Sequence, residues 1–273
     1  MQKNPMVGAT STSSHSEQGS HNSSRFVNLK LYGFWRSSST WRIQIVLAAK
    51  SIPFTFHSID ILNGQSKEED YATNVNAMKQ VPVLECIDTA QNVDNDPNGD
   101  TGRIRITQSL AIIEFIEEAF VDDGFSLLPT DAVDRARVRE IAEIVNSGIQ
   151  PLQNLSVMDM IDEFGKGHVE TKLGNGKFFG KHHIEKGLKA IESLVNAQKM
   201  LKNQGGHFAI GSSNPTLADA FIVPQMYNAR RFFVDLEATC PSLLEVEAHC
   251  LQHPWFSETH PDVIRGLYPY FAI

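Results

Sequence analysis

Val27-Asn28-Leu29-Lys30-Leu31-Tyr32 leads into Arg36-Ser37-Ser38-Ser39-Thr40, and then into Trp41-Arg42-Ile43-Gln44-Ile45-Val46-Leu47-Ala48-Ala49-Lys50. The first six residues alternate apolar and polar, the period of a strand. The hydroxyls at 38–40 offer N-caps, and the run after them is helical. The chain therefore opens as strand, polar turn and helix. Working outward, Phe54 to Ile61 reads as a second strand. Val81-Pro82-Val83-Leu84-Glu85-Cys86 reads as a third, its proline at the start where a missing N–H is tolerated. Ile104-Arg105-Ile106 makes a short fourth, followed by a helix from Ser109 to Ala119 with Leu110, Ile113, Phe115 and Ile116 apolar. This β-α-β, then β-β-α order is that of a small α/β domain.

After Leu127-Leu128-Pro129 only helical patterns remain, over 131–148, roughly 179–203, 216–230 and 242–251. Val138, Ile141, Ile144 and Val145 share one face of the first. The fold expected is α/β plus all-α: a thioredoxin-like domain over 26–124, then an all-helical domain over 130–265. Residues 1–25 are Ser-rich without the apolar centre of a secretory signal, and are expected to be a disordered tail. They fit a mitochondrial transit peptide weakly, because Arg25 is their single arginine and no amphipathic face is present. Residues 88–103 read as an acidic, turn-rich hairpin insertion, and 163–177, with four glycines, as a flexible helix–helix connection.

A length of 273 residues accommodates about two domains. Hydrophobic residues at 41% suffice for a sizeable core. Lys plus Arg number 24 against 32 for Asp plus Glu, a net charge of −8, which disfavours a nucleic-acid-coating role. No apolar run is long enough to span a bilayer. Cys86, Cys240 and Cys250 are spaced too irregularly for a disulfide framework, so a reducing, cytoplasmic compartment is expected. No metal site is expected: Asp94 to Arg105 matches only the first half of a calcium loop, and His249, Cys250 and His253 lack further zinc ligands.

Three features carry chemistry. Helix N-terminal N–H groups at the 36–42 turn favour an anion. The turn has no cysteine, so dithiol redox chemistry is excluded. A serine hydroxyl there can donate to a thiolate belonging to a ligand; a plain Ser-rich cap is the competing reading. A cis Val81–Pro82 bond would turn the Val81 backbone outward to pair with an extended peptide. Ser109, in Thr107-Gln108-Ser109, could hold a carboxylate or simply cap its helix.

In this order the features resemble the soluble glutathione transferases, specifically the zeta class that includes maleylacetoacetate isomerase. The carrying residues are 36–42, Met78-Lys79-Gln80-Val81-Pro82, Gln108 to Glu114, Gly148-Ile149-Gln150-Pro151-Leu152-Gln153-Asn154-Leu155-Ser156, and Ala218-Asp219 through Gln225 to Phe232. The resemblance covers about residues 27–260. It implies a glutathione-binding N-terminal domain and a helical domain for the second substrate. Ser37, aided by Ser38, would stabilise the glutathione thiolate. Ser39, Trp41, Arg42 and Gln65 would belong to the glutathione site, Val81 would pair with the cysteinyl backbone, and Gln108 and Ser109 would hold the γ-glutamyl end. Gln150, Asn154 and Ser156 line the family's cleft and would also belong to the glutathione site, and Arg36 and Arg231 fall on the substrate side. A homodimer is also implied.

The family usually reads Ser-Ser-Cys, whereas here the third position is Ser39. Ala77 replaces a usual proline, and the end from Gly266 to Ile273 is more aromatic than the family's tail. The activity implied is glutathione-dependent cis–trans isomerisation of a maleylacetoacetate-like keto-acid. General conjugation or dehalogenation of small electrophiles is a close rival. A non-catalytic binding module is a rival of another class, opposed by the retention of Ser37, Val81-Pro82 and Gln108-Ser109.

Overall fold

The structure, a computed structural model, describes residues 25–91, 101–166, 174–202 and 205–267. The chain divides into two compact units, Met1–Phe125 and Ser126–Ile273. The tail before Arg25, most of the 88–103 insertion with its calcium-loop match, and the aromatic end from Tyr268 lie outside the described residues.

The first unit contains β1 (Phe26–Gly33), α1 (Ser38–Ala49), β2 (Thr55–Ser58), α2 (Glu69–Asn74), β3 (Val83–Asp88), β4 (Arg103–Thr107) and α3 (Ser109–Ala119). The sheet order is β2-β1-β3-β4, with β1 and β2 parallel and the other pairs antiparallel. Parallel neighbours need a crossover, and α1 supplies it. That helix is apolar on nearly every side, and every residue of it except Ala48 is buried. Gly33, ending β1, has no room for a Cβ against Thr40 and Phe56, so strand and helix approach closely. Glu85 in β3 pairs in register with Lys30 of β1 and Arg105 of β4. It accepts hydrogen bonds from Lys30 Nζ at 2.9 Å and Arg105 Nε at 2.8 Å.

Of the strand limits that differ from expectation, two have a local cause. The second strand ends at Ser58 instead of Ile61, because Asp60 Oδ1 accepts from the Leu62 and Asn63 N–H groups, both at 3.1 Å, and turns the chain. The third begins at Val83, after Pro82, which has no N–H for a ladder.

The second unit is helical. Asp131 caps α4 (Ala132–Glu143), accepting from the Val133 and Asp134 N–H groups at 2.9 Å. The single helix expected over 131–148 instead stops at Glu143. It widens into a π-helical turn, Ile144–Ile149, followed by a 3-10 turn, Gln150–Gln153. Pro151 offers no N–H to continue an α-helical ladder, and the chain reaches it through the wider turn. Then come α5 (Leu155–Phe164), α6 (Asn175–Leu201), α7 (Leu217–Arg231), α8 (Leu236–Thr239), α9 (Pro241–Leu251), α10 (Pro254–Ser257) and α11 (Pro261–Leu267).

The 163–177 stretch, expected as a flexible helix–helix connection, joins the end of α5 to the start of α6, with 167–173 outside the described residues. Asp162 Oδ1 accepts from the Gly176 N–H at 2.7 Å. A Cβ at Gly176 would overlap the Met158 carbonyl, and one at Gly187 would overlap the Ile149 side chain. These glycines are packing sites, and they bring α6 against both α5 and the π-helical turn. Thr216 and Asp219 form the capping box of α7.

Candidate active site

The site is built first at the N-terminus of α1. Ser37 is its N-cap, with extended backbone, and its Oγ accepts from the Thr40 N–H at 3.3 Å. That use of a lone pair leaves the hydroxyl hydrogen to be donated outward. Ser37 is half-buried, whereas Ser38 and Ser39 in the first helical turn are 5% and 6% exposed. Arg36, just before the cap, lays its guanidinium over Trp35.

A second helix start lies in the same unit. Gln108 is the N-cap of α3 at φ 69°, makes no side-chain cap bond, and is exposed. A non-glycine residue in that region costs on the order of 1–3 kcal/mol, which surrounding structure must hold. Ser109 follows in the first turn, so the capping role open to it from sequence falls to Gln108 by position. Its Oγ instead faces α1, accepting from Arg42 Nη1 at 3.1 Å. Arg42 has no exposed surface, and burial pushes its guanidinium down to about 9, so it remains a cation at neutral pH. One buried charge thereby links the two helix starts.

Trp41 is 1% exposed and Arg42 fully buried. Both lie beneath the surface of the turn, where Arg42 meets Ser109. Gln65 is half-buried at the start of a 3-10 turn, and its Oε1 accepts from the Asp60 N–H at 2.7 Å. Val81 lies just before the first ladder pairs, Val83 with Tyr32 and with Thr107, and its bond to Pro82 is cis, as the sequence reading expects.

In the second unit, Asn154 is the N-cap of α5. Its Oδ1 accepts from the Ser156 N–H at 3.1 Å and the Ser156 hydroxyl at 2.9 Å. Gln150 opens the 3-10 turn that ends at Gln153. Arg231, exposed at the end of α7, donates from Nη1 to Asn228 Oδ1 at 2.9 Å.

The family model for the glutathione S-transferase N-terminal domain matches residues 36–119. A probable maleylacetoacetate isomerase of Caenorhabditis elegans is 35% identical over 85% of this chain and 92% of its own length. The chain belongs to the maleylacetoacetate isomerase family. The crystal structure of such an isomerase from Anaeromyxobacter dehalogenans, with bound GSH in the active site, is 37% identical with a TM-score of 0.69, covering 88% of this chain and 97% of that one. The same enzyme with dicarboxyethyl glutathione and citrate bound gives 37% and 0.67, covering 86% and 92%. A maleylpyruvate isomerase described as a bacterial zeta-class glutathione S-transferase is 29% identical at a TM-score of 0.69, covering 86% and 97%.

In this isomerase-family chain the serine turn carries hydroxyls and no thiol. Cys86, Cys240 and Cys250 are all buried. Burial pushes the Cys86 thiol up to about 11 and Cys240 to about 12, and raises Cys250 well above the ordinary range. Sequence reasoning missed the Arg42–Ser109 bond, because the partners lie 67 residues apart. It also missed Asn228 as the acceptor beside Arg231, and the buried pair Gln153–Gln225; in the sequence these were visible only as members of longer matching blocks.

Proposed function

We propose that this chain is a glutathione-dependent cis–trans isomerase of maleylacetoacetate-like keto-acids. The Arg42–Ser109 bond carries the reading. It joins the start of α1, with its half-buried Ser37 hydroxyl, to the start of α3, with Gln108 and Ser109. A ligand suited to that arrangement has a thiol at one end and a charged γ-glutamyl group at the other. Glutathione fits on these grounds: Ser37 has a hydrogen to donate to sulfur, and the Arg42 cation polarises the Ser109 hydroxyl toward a carboxylate. Val81 stands ahead of the ladder, where a cysteinyl backbone could pair in strand fashion.

Bound glutathione would supply a thiolate that adds reversibly across the conjugated double bond, permits rotation, and is expelled unchanged. The chain's part is to favour thiolate at Ser37 and to hold a keto-acid by its carboxylate. Arg231 and Arg36 are the residues proposed for that second task, and Gln150, Asn154 and Ser156 are proposed to line the cleft. The domain of 26–124 then serves glutathione, and that of 130–265 the acid. A cytoplasmic homodimer accords with the family resemblance; sedimentation tests the assembly.

The direct test is turnover of maleylacetone with catalytic glutathione, set beside a small chlorinated acid. Isomerisation without net glutathione consumption supports the proposal. Faster dehalogenation than isomerisation moves the chain to the conjugating reading.

A further inference from the structure

Gln153 closes the 3-10 turn, and Gln225 sits within α7 directly after Pro224. Their carboxamides form a closed ring: each Nε2 donates to the other's Oε1, both at 3.0 Å. Gln153 is 6% exposed and Gln225 fully buried. We infer that this amide pair is a positioning device for the second substrate, holding the turn that carries Gln150 and Asn154 in register with the helix on which Asn228 braces Arg231. The inference rests on the proposed roles of Arg231 in holding the acid and of Gln150 and Asn154 in lining the cleft.

Both segments joined by the ring have weakened backbone ladders. The turn passes from π to 3-10 geometry within ten residues, 144–153. Helix α7 contains Pro224, which removes one ladder bond. Apolar contact between such segments is non-directional and would let them slide. Two opposed amide bonds in a water-free setting fix both distance and orientation. Gln225, Asn228 and Arg231 recur at a spacing of three along α7, so they follow one side of the helix. The orientation set at Gln225 is thereby carried to the Arg231–Asn228 bond.

The experiment compares Gln153→Leu, Gln225→Leu and the double variant with wild type. Each is measured by Tm and by calorimetric binding of glutathione and of dicarboxyethyl glutathione. Each single variant strands a buried amide and lowers Tm, whereas removing both partners together restores it toward wild type. The double variant should bind dicarboxyethyl glutathione about tenfold more weakly, the scale of one displaced charge-assisted contact, with glutathione binding changed less than about twofold.

A double variant that keeps wild-type preference for the acid adduct overturns the inference, as does equal loss of both ligands. Wild type that shows no preference for the adduct overturns the substrate-holding reading and the inference with it. Gln153→Glu covers a double variant that fails to fold. Its protonated carboxyl can close the same ring and its carboxylate cannot, so preference for the adduct should fall with rising pH in the variant alone. A pH response identical to wild type overturns the inference.

Discussion

Ser37 performs two tasks with one oxygen. As N-cap it accepts from the Thr40 N–H, and its hydrogen remains for a ligand sulfur. A neutral donor bond of about 1 to 2 kcal/mol corresponds to roughly one pKa unit on a thiol. Ser37→Ala should therefore cut turnover strongly near neutral pH while changing glutathione affinity much less. The deficit should close as pH passes the free thiol value of about 8.5, where thiolate forms unaided. Loss of the cap also costs about 0.5–2 kcal/mol of stability, so Tm must be followed alongside the pH–rate profile. Ser38→Ala and Ser39→Ala are the controls, since both remove buried hydroxyls from the same turn. A mild Ser37→Ala beside a crippling Ser38→Ala would transfer the role. The serines were legible in sequence because capping is local. Arg42 was not legible in its true part, because a run of helical residues says nothing about which of them meets another helix's first turn.

At the scale of elements, the sheet is braced across β1, β3 and β4 by Glu85. Burial pushes its carboxyl upward, but the bonds and charges of Lys30 and Arg105 outweigh this and leave it below the ordinary value. A carboxyl lowered in the folded state adds stability above its unfolded value, and that stability drains away as pH falls through the folded value. Wild type should thus lose thermal stability below about pH 4.5, the ordinary value for the group. Glu85→Gln should be less stable at neutral pH, with the Tm gap narrowing as acid removes the charge from wild type. A gap constant from neutral to acid pH would remove Glu85 from this role. The strand was read from alternation, but its brace was not, since register emerges only when strands pair. Helix α5 escaped as well, and none of its residues is buried. Leu155, Met158, Ile161 and Phe164 recur at helical spacing, so its apolar face was present in the sequence and was passed over, although Leu155, Met160 and Phe164 lie exposed.

For the molecule as a whole, the change from strand-bearing to purely helical sequence was plain, because the two periods differ and each must bury its own face. The widening at Ile144 was hidden, since a π-helical turn alters backbone spacing without changing which residue types suit the core. A last consequence belongs to the buried cysteines and to Ser39. An enzyme handling electrophiles risks being alkylated by its own reagents, and thiols are the usual casualty. Here each cysteine is shut from solvent and held as unreactive thiol, and the turn offers hydroxyls only. Iodoacetamide should leave the intact mass of the native chain unchanged and add three groups only in denaturant, one for each of its 3 cysteines. An adduct on native protein would refute this. The working lifetime of the catalyst is then set by unfolding, and chemical wear falls on the replaceable small thiol.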